Sequence, residues 1–398
     1  MVEAALRAVD GRRAVSRRLQ QAPLSYATAV VAIGKAAQAM VLGVADAQPD
    51  LIGDVLVITK QGHLDEPSLQ SRGWQTVVGG HPLPDEGSLL AGSMLLDFIE
   101  NTQGPLLFLI SGGASALVEV PVDGVGLETV QQVNRWLLGS GLDIVAINAV
   151  RMALSQIKGG GLLRWVQERS LRVLAISDVP YNDPVVIGSG LLVPSPDLVQ
   201  KVAGIRLPEW IADAVASGVA QRQSLPMSGP PVEIVADIER AKTAAARCAR
   251  ELGYAVMLHP EFVDGLAALA GHRLADVLLG ASPGVHVWGG ETVVDLPPMP
   301  GRGGRNQHLA LAAAQRLAGC DRCWLLSVGT DGTDGVTEDA GALVDGRTLR
   351  RAEEEGLDAA DALRKADSGT ILAATGDLIH TGPTGTNVMD LMIGMKTE

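Results

Sequence analysis

The stretch Ala29-Val30-Val31-Ala32-Ile33-Gly34-Lys35-Ala36-Ala37 decides the fold class. Its unbroken apolar run reads as a strand buried on both faces. Gly34 ends the strand, and an amphipathic pattern expected as a helix over residues 35–45 follows. The same rhythm recurs through the first half. Strands are expected at 55–59, 106–110 and 172–176, with helices at 86–100, 127–140, 144–157 and 161–169. Alternation of this kind predicts a Rossmann-like three-layer α/β domain with a mostly parallel sheet.

The pattern changes between Pro194 and Pro231, a stretch rich in proline with few strand signals. Residues 224–231 read as a linker. The expected domains are therefore residues 1–226 and 227–398. In the second half, helices are expected at 236–252, 262–279 and 305–317. Strands are expected at 255–259 and 324–328, and a hairpin joins 285–288 to 292–296 around Gly289 and Gly290. Strands so close together predict a smaller α/β domain with a mixed sheet.

Composition narrows the function. The chain has 398 residues, 47% hydrophobic and 19% charged, enough for two ordinary cores. Its net charge of −13 repels a phosphate backbone, and 3% aromatic residues leave few stacking platforms. The densest basic cluster is Arg12, Arg13, Arg17 and Arg18. Nucleic acid is excluded as a partner on these grounds. No apolar run is long enough for a bilayer and no signal-peptide core is present, so a cytoplasmic protein without a membrane partner is expected. Cys248, Cys320 and Cys323 make no disulfide framework, which fits a reducing compartment. Cys320 and Cys323 form a CxxC that reads as a strand edge.

The candidate chemistry lies in glycine-rich loops at strand ends, where backbone N–H groups converge on anions. Lys35, expected in the first turn of a helix, opposes the helix dipole and calls for an anionic ligand. Ser111-Gly112-Gly113-Ala114-Ser115 reads as an anion cradle after a strand. Lys158-Gly159-Gly160-Gly161 carries more glycine than a helix cap needs. Asp178 ends a strand and is suited to Mg²⁺. In Gly301-Arg302-Gly303-Gly304-Arg305-Asn306-Gln307-His308, Arg305 offers a planar fork to phosphate or carboxylate. Asp331 and Asp334, spaced by glycines, suggest a metal- or hydroxyl-binding loop. The hydroxyl-rich loop Thr381–Asn387 reads equally as a site and as a turn. His63 and His81 sit in loops.

Several common signatures are missing. No G-x-x-x-x-G-K-[ST] occurs, and no strand leads into G-x-G-x-x-G. No G-x-S-x-G elbow is present.

Taken in order, these motifs resemble the glycerate 2-kinase family of the MOFRL type. The resemblance runs from Ile33-Gly34-Lys35-Ala36-Ala37 to Gly382-Pro383-Thr384-Gly385-Thr386-Asn387. Between them lie Gly80-His81-Pro82, Asn148-Ala149-Val150-Arg151, Ser177-Asp178-Val179-Pro180 and Gly303-Gly304-Arg305-Asn306-Gln307. It implies ATP- and Mg²⁺-dependent phosphorylation of D-glycerate, or a related hydroxy acid, to 2-phosphoglycerate in a cleft between two α/β domains. Lys35 and Arg305 match the residues the family places at the phosphoryl-transfer centre. On this reading Gly34, Ser111, Gly112, Gly113, Ser115, Lys158, Gly159 and Gly160 hold nucleotide phosphates. Arg151, His63 and Asn306 face the substrate, and Asp178, with Glu291 or Asp331, holds the metal. Three positions depart from the family: Tyr181-Asn182 where it has Gly-Asp, Leu191 where it has proline, and His308 where it has glutamate. The rival readings are an NAD(P)H-dependent hydroxypyruvate reductase and a non-catalytic sugar-acid or nucleotide sensor. Homo-oligomerisation is left open.

Overall fold

The computed structural model describes residues 1–166, 169–222 and 228–398. They divide into two compact units: Gly11–Val235, and Met1–Asp10 with Ala236–Glu398. The expected boundary between residues 226 and 227, and the first half of the expected linker, lie outside the described residues. The first ten residues differ from expectation. Their helix Val2–Val9 belongs to the second unit, where it packs on helix Ile238–Glu251.

The first unit holds strands β1 (Thr28–Ile33), β2 (Ile52–Thr59), β3 (Gln75–Val78), β4 (Leu106–Ile110), β5 (Leu171–Ile176) and β6 (Val232–Ala236). Their order is β3-β2-β1-β4-β5-β6. The pairings β2–β3, β1–β2, β1–β4 and β4–β5 are all parallel. Every residue of β1 and β4 is buried, which is why these strands read as continuous apolar runs. Val31, Ile33, Phe108 and Ile110 share one buried core with Leu95 and Phe98 of helix Glu86–Asn101. The strand order reverses between β1 and β4, the switch point where open α/β sheets bind ligands.

Local differences have local causes. The helix expected from residue 35 starts at Ala37, because Lys35 and Ala36 turn to bond the β4 loop. The 144–157 helix ends at Ala153, and the 161–169 helix shortens to Leu163–Val166, with residues 167 and 168 outside the described set.

The second unit is built on β7 (Val256–Val263), β8 (Gly284–Gly290), β9 (Cys323–Gly329), β10 (Gly341–Asp345), β11 (Leu378–Ile379) and β12 (Asp390–Lys396). The order is β11-β10-β9-β12-β8-β7. Only β7–β8 is parallel among the pairs described; β12 runs antiparallel to both β8 and β9. The sheet is mixed, as expected, but the hairpin around Gly289 and Gly290 does not form. Both glycines lie inside β8, and Val293 instead bridges Leu266. Helices Ala267–Gly280 and Arg305–Leu317 cover this sheet through Leu274, Leu278, Leu309 and Ala313. Cys323 opens β9 as a free thiol, and burial, followed by a hydrogen bond with the Cys320 thiol, pushes it up to about 11.

Candidate functional site

At the switch point, the ends of β1 and β4 lock together. Ser111 N–H donates to Ile33 O at 2.9 Å, and Lys35 N–H to Gly112 O at 2.9 Å. Ser111 Oγ accepts from Ala36 N–H at 3.1 Å. Gly34 makes this approach possible: at φ 126°, an added Cβ would stand 2.2 Å from Ser111 Oγ. Gly34 is thus a packing residue, and the Lys35 and Ala36 amides are spent on protein. The N–H groups of Gly112 and Gly113 have no hydrogen-bond partner among the described residues. Above Gly113 stand two side chains: a Cβ there would meet His81 Cδ2 at 3.2 Å and Lys35 Cγ at 3.5 Å. His63, expected at the substrate, directs Nδ1 to Lys35 O at 3.0 Å and so fixes the lysine's backbone.

The neighbouring strand ends add a polar chain. Ser115 Oγ meets Ser189 Oγ at 2.7 Å, and Ser189 Oγ lies 3.5 Å from Asn148 Oδ1. Asn148 and Arg151 sit three residues apart on helix Ile144–Ala153 and share a face. Arg151 Nε donates to Asn134 Oδ1 at 2.7 Å, and burial lowers its pKa. Asp178 follows β5. Beyond it Tyr181 and Asn182 adopt left-handed backbone, φ 60° and 57°, a conformation costly for tyrosine. Leu191 is simply buried in the core.

The Lys158–Gly161 loop is a correction. The N–H groups of Gly159, Gly160 and Gly161 donate to Ser189 O, Gly190 O and Lys158 O. Lys158 itself is buried and ion-paired with Glu119, whose other oxygen accepts from Ser155 Oγ. Burial lowers the Lys158 pKa and Glu119 opposes that shift. Arg222 clamps the loop by donating to the carbonyls of Met152, Ser155, Lys158 and Gly159. With its amides and its cation already used inside the protein, the loop cannot cradle phosphate as built.

In the second unit, Arg305 opens helix Arg305–Leu317 as expected, but it does so among carboxylates. Its Nε and Nη2 meet Asp390 at 2.6 and 3.0 Å, and Nη1 meets Glu291 at 2.9 Å. Burial would lower its pKa, but Asp390 and then Glu291 and Asp334 outweigh burial and hold it above its ordinary value. Asp334 caps the helix, accepting from Asn306 N–H at 3.0 Å and Gln307 N–H at 2.8 Å. Burial raises its carboxyl to about 6. A carboxylate therefore occupies the helix N-terminus that could otherwise take phosphate.

Asn306 is another correction. Its amide donates to Asp334 and accepts from Ser327 Oγ, and it is only 1% exposed, so it has no face for substrate. Asp331 turns its carboxylate onto Thr333 N–H and Oγ. The hydroxyls of Thr384 and Thr386 bond Thr330 O and Val9 O, so the Thr381–Asn387 loop is a latch. Among the described residues no group of three His, Cys, Asp or Glu side chains converges on a metal position. Glu291 and Asp331 stand on the second unit and Asp178 on the first.

Neither the pairing of Asp390 with Arg305 nor the capping role of Asp334 is legible in the sequence. Asp334 lay in a glycine-spaced motif that signalled a special loop. Asp390 carried no signal, since its role depends on β12 entering the sheet beside β8.

Comparison with known proteins agrees with this architecture. A family profile described as "Domain of unknown function (DUF4147)" matches residues 1–222, and one described as "MOFRL family" matches residues 284–390. The D-glycerate 2-kinase of Thermotoga maritima is 34% identical, over 99% of this chain and 96% of that protein. A putative hydroxypyruvate reductase of Agrobacterium vitis is 35% identical, over 98% of this chain and 91% of its own. The crystal structure of glycerate kinase from Thermotoga maritima superposes with a TM-score of 0.84, covering 100% of this chain and 97% of that one. With two α/β units of matching topology and similarity along nearly its whole length, this chain belongs to the glycerate kinase family of the MOFRL type.

Proposed function

We propose that this protein phosphorylates D-glycerate at its 2-hydroxyl, using ATP and Mg²⁺. The observation that carries the reading is the position of Lys35 over Gly113. There the Lys35 chain, through its Cγ, and the His81 ring stand beside Gly113, next to amides without partners among the described residues. Phosphoryl transfer asks little of covalent chemistry and much of positioning and charge neutralisation. Lys35 and the Gly112 and Gly113 amides would neutralise and orient phosphate oxygens. The Ser115–Ser189–Asn148 chain and Arg151 would orient the hydroxyl and carboxylate of the acid. Arg305, held by Asp390 and Glu291, is the cation assigned to the transferring group.

Mg²⁺ is usually held by one or two carboxylates together with substrate phosphates. Asp178 at the β5 end, or Glu291 beside Arg305, is a carboxylate of the kind such a sparse donor set uses, and when bound the ion would supply further charge neutralisation. Asp331, turned onto Thr333, fits less well.

The reductase reading gains support from a relative's name but little from the geometry. A dinucleotide pyrophosphate rests on glycine-loop amides at the first helix N-terminus. Here the Lys35 and Ala36 amides are already bonded to Gly112 and Ser111. A coupled assay with ATP, Mg²⁺ and D-glycerate, with the product's regiochemistry read by NMR, tests the proposal. ADP release with 2-phosphoglycerate is expected. NADH or NADPH oxidation by hydroxypyruvate without ADP release would overturn it, and binding without turnover would favour a sensor.

A further inference from the structure

The second unit contains a cavity of about 370 Å³ beside the start of helix Arg305–Leu317, and of its lining only Arg305 has a part in the proposed phosphoryl transfer. Val293, Val294, Leu296 and Val336 line it, with Arg305 and His308. D-Glycerate is too small and too polar to fill such a space. The phosphate chain does not belong inside it either, because Asp334 already occupies the adjacent helix N-terminus. A flat, uncharged, amphipathic group matches the lining.

Two polar groups in the lining also call for a ligand. Thr292 lines the cavity, is 1% exposed, and its Oγ1 has no hydrogen-bond partner among the described residues. Buried hydroxyls are seldom left in that state, because the lost hydrogen bonds to water go unreplaced. His308 also lines the cavity. Its Nδ1 is 3.1 Å from Ser368 Oγ, which fixes the ring and leaves Nε2 as its other polar edge. Burial lowers its pKa, so the ring is neutral near pH 7 and can accept or donate according to its tautomer. A hydrophobic slot with a few placed polar groups is the usual form of a small-molecule site.

Resting on the kinase reading, we propose that this cavity receives the nucleoside of the phosphate donor. The base lies between Val293, Leu296 and Val336, Thr292 Oγ1 and His308 Nε2 meet its polar edge or the ribose, and the phosphate end leaves past Arg305. His308, one of the positions where this chain departs from its family, then becomes a determinant of donor preference.

The test is calorimetric titration of the full chain with ADP, adenosine and pyrophosphate, beside steady-state kinetics. Val336→Trp fills the rim from a position that is 87% exposed, so folding is not at stake. Thr292→Val removes the hydroxyl at nearly constant volume. Both variants are expected to weaken ADP and adenosine by about tenfold or more, raise KM for ATP in step, and leave pyrophosphate affinity and KM for D-glycerate unchanged. Wild-type turnover with ADP affinity unchanged in both variants overturns the nucleoside site and leaves the kinase reading standing. Adenosine binding lost in both variants, without any wild-type turnover, supports the site and overturns the kinase reading. Absence of both nucleotide binding and turnover in the wild type overturns both.

Discussion

Arg305 and Asp390 form a two-point pair, Nε to Oδ2 at 2.6 Å and Nη2 to Oδ1 at 3.0 Å, with the Asp390 carboxylate buried. The fork fixes the plane of the guanidinium, which a lysine could not do. Asp390→Asn and Arg305→Lys are both expected to lower kcat by about 10²-fold, as misplacement of a positioned charge does. Steady-state kinetics with ATP and D-glycerate check this, and near-normal turnover in both variants would remove Arg305 from the chemistry.

Lys35 makes a different demand. Its side chain stands over Gly113 while its backbone is held by Gly112 and His63, so the loop survives without the ammonium. Lys35→Ala is expected to cost about 10²–10³ in kcat with little change in melting temperature. Turnover close to wild type would falsify its assignment.

Lys158 should behave in the opposite way. Its burial against Glu119 makes it a structural cation. Removing one partner of a buried pair costs about 3–5 kcal/mol. Lys158→Met is therefore expected to lower the denaturant midpoint strongly, and pairing it with Glu119→Gln should recover part of the loss. A change in KM for ATP at normal stability would restore it to the phosphate site.

Asp334 gives a pH signature. Burial raises its folded carboxyl to about 6, above the unfolded value of roughly 3.9. Between those values the folded state binds more protons than the unfolded state, so stability falls as pH rises through the window. Acidification from pH 6 to 4 should stabilise the wild type relative to Asp334→Asn by on the order of 2–3 kcal/mol. Urea titrations at several pH values would show a flat difference if the carboxyl titrates normally.

Gly34 tests the switch point itself. A Cβ there collides with Ser111, and φ 126° strains any other residue. Gly34→Ala is expected to cost about 2 kcal/mol or more in thermal unfolding and to lower turnover by shifting the Lys35 loop. An unperturbed melt would show that the β1 and β4 ends are not locked.

The first unit was legible because its signals are local. β1 and β4 are buried along their whole length and β5 over its last four residues, so they announce themselves as apolar runs, and glycines follow the ends of β1 and β4. Lys35, the Ser111–Ser115 loop and Arg305 could be picked out because each sits at the end of such an element. What could not be read was where each group's partners come from. Gly159 and Gly160 look like an anion loop until Ser189 and Gly190 take their amides. Lys158 looks like a phosphate ligand until Glu119, far away in sequence, meets it in the core.

The sequence alone determined the α/β class of both halves, the central strands of the first sheet, the family and the strand-end loops, since hydrophobic period and turn chemistry act over a few residues. Only the tertiary structure decided that β12 enters the second sheet beside β8 and brings Asp390 to Arg305. It alone seated Asp334 on a helix N-terminus, left Thr292 lining a cavity, and turned Lys158 inward. The reason is physical: a buried charge or hydroxyl is defined by the partner that satisfies it, and those partners are chosen by packing between distant segments.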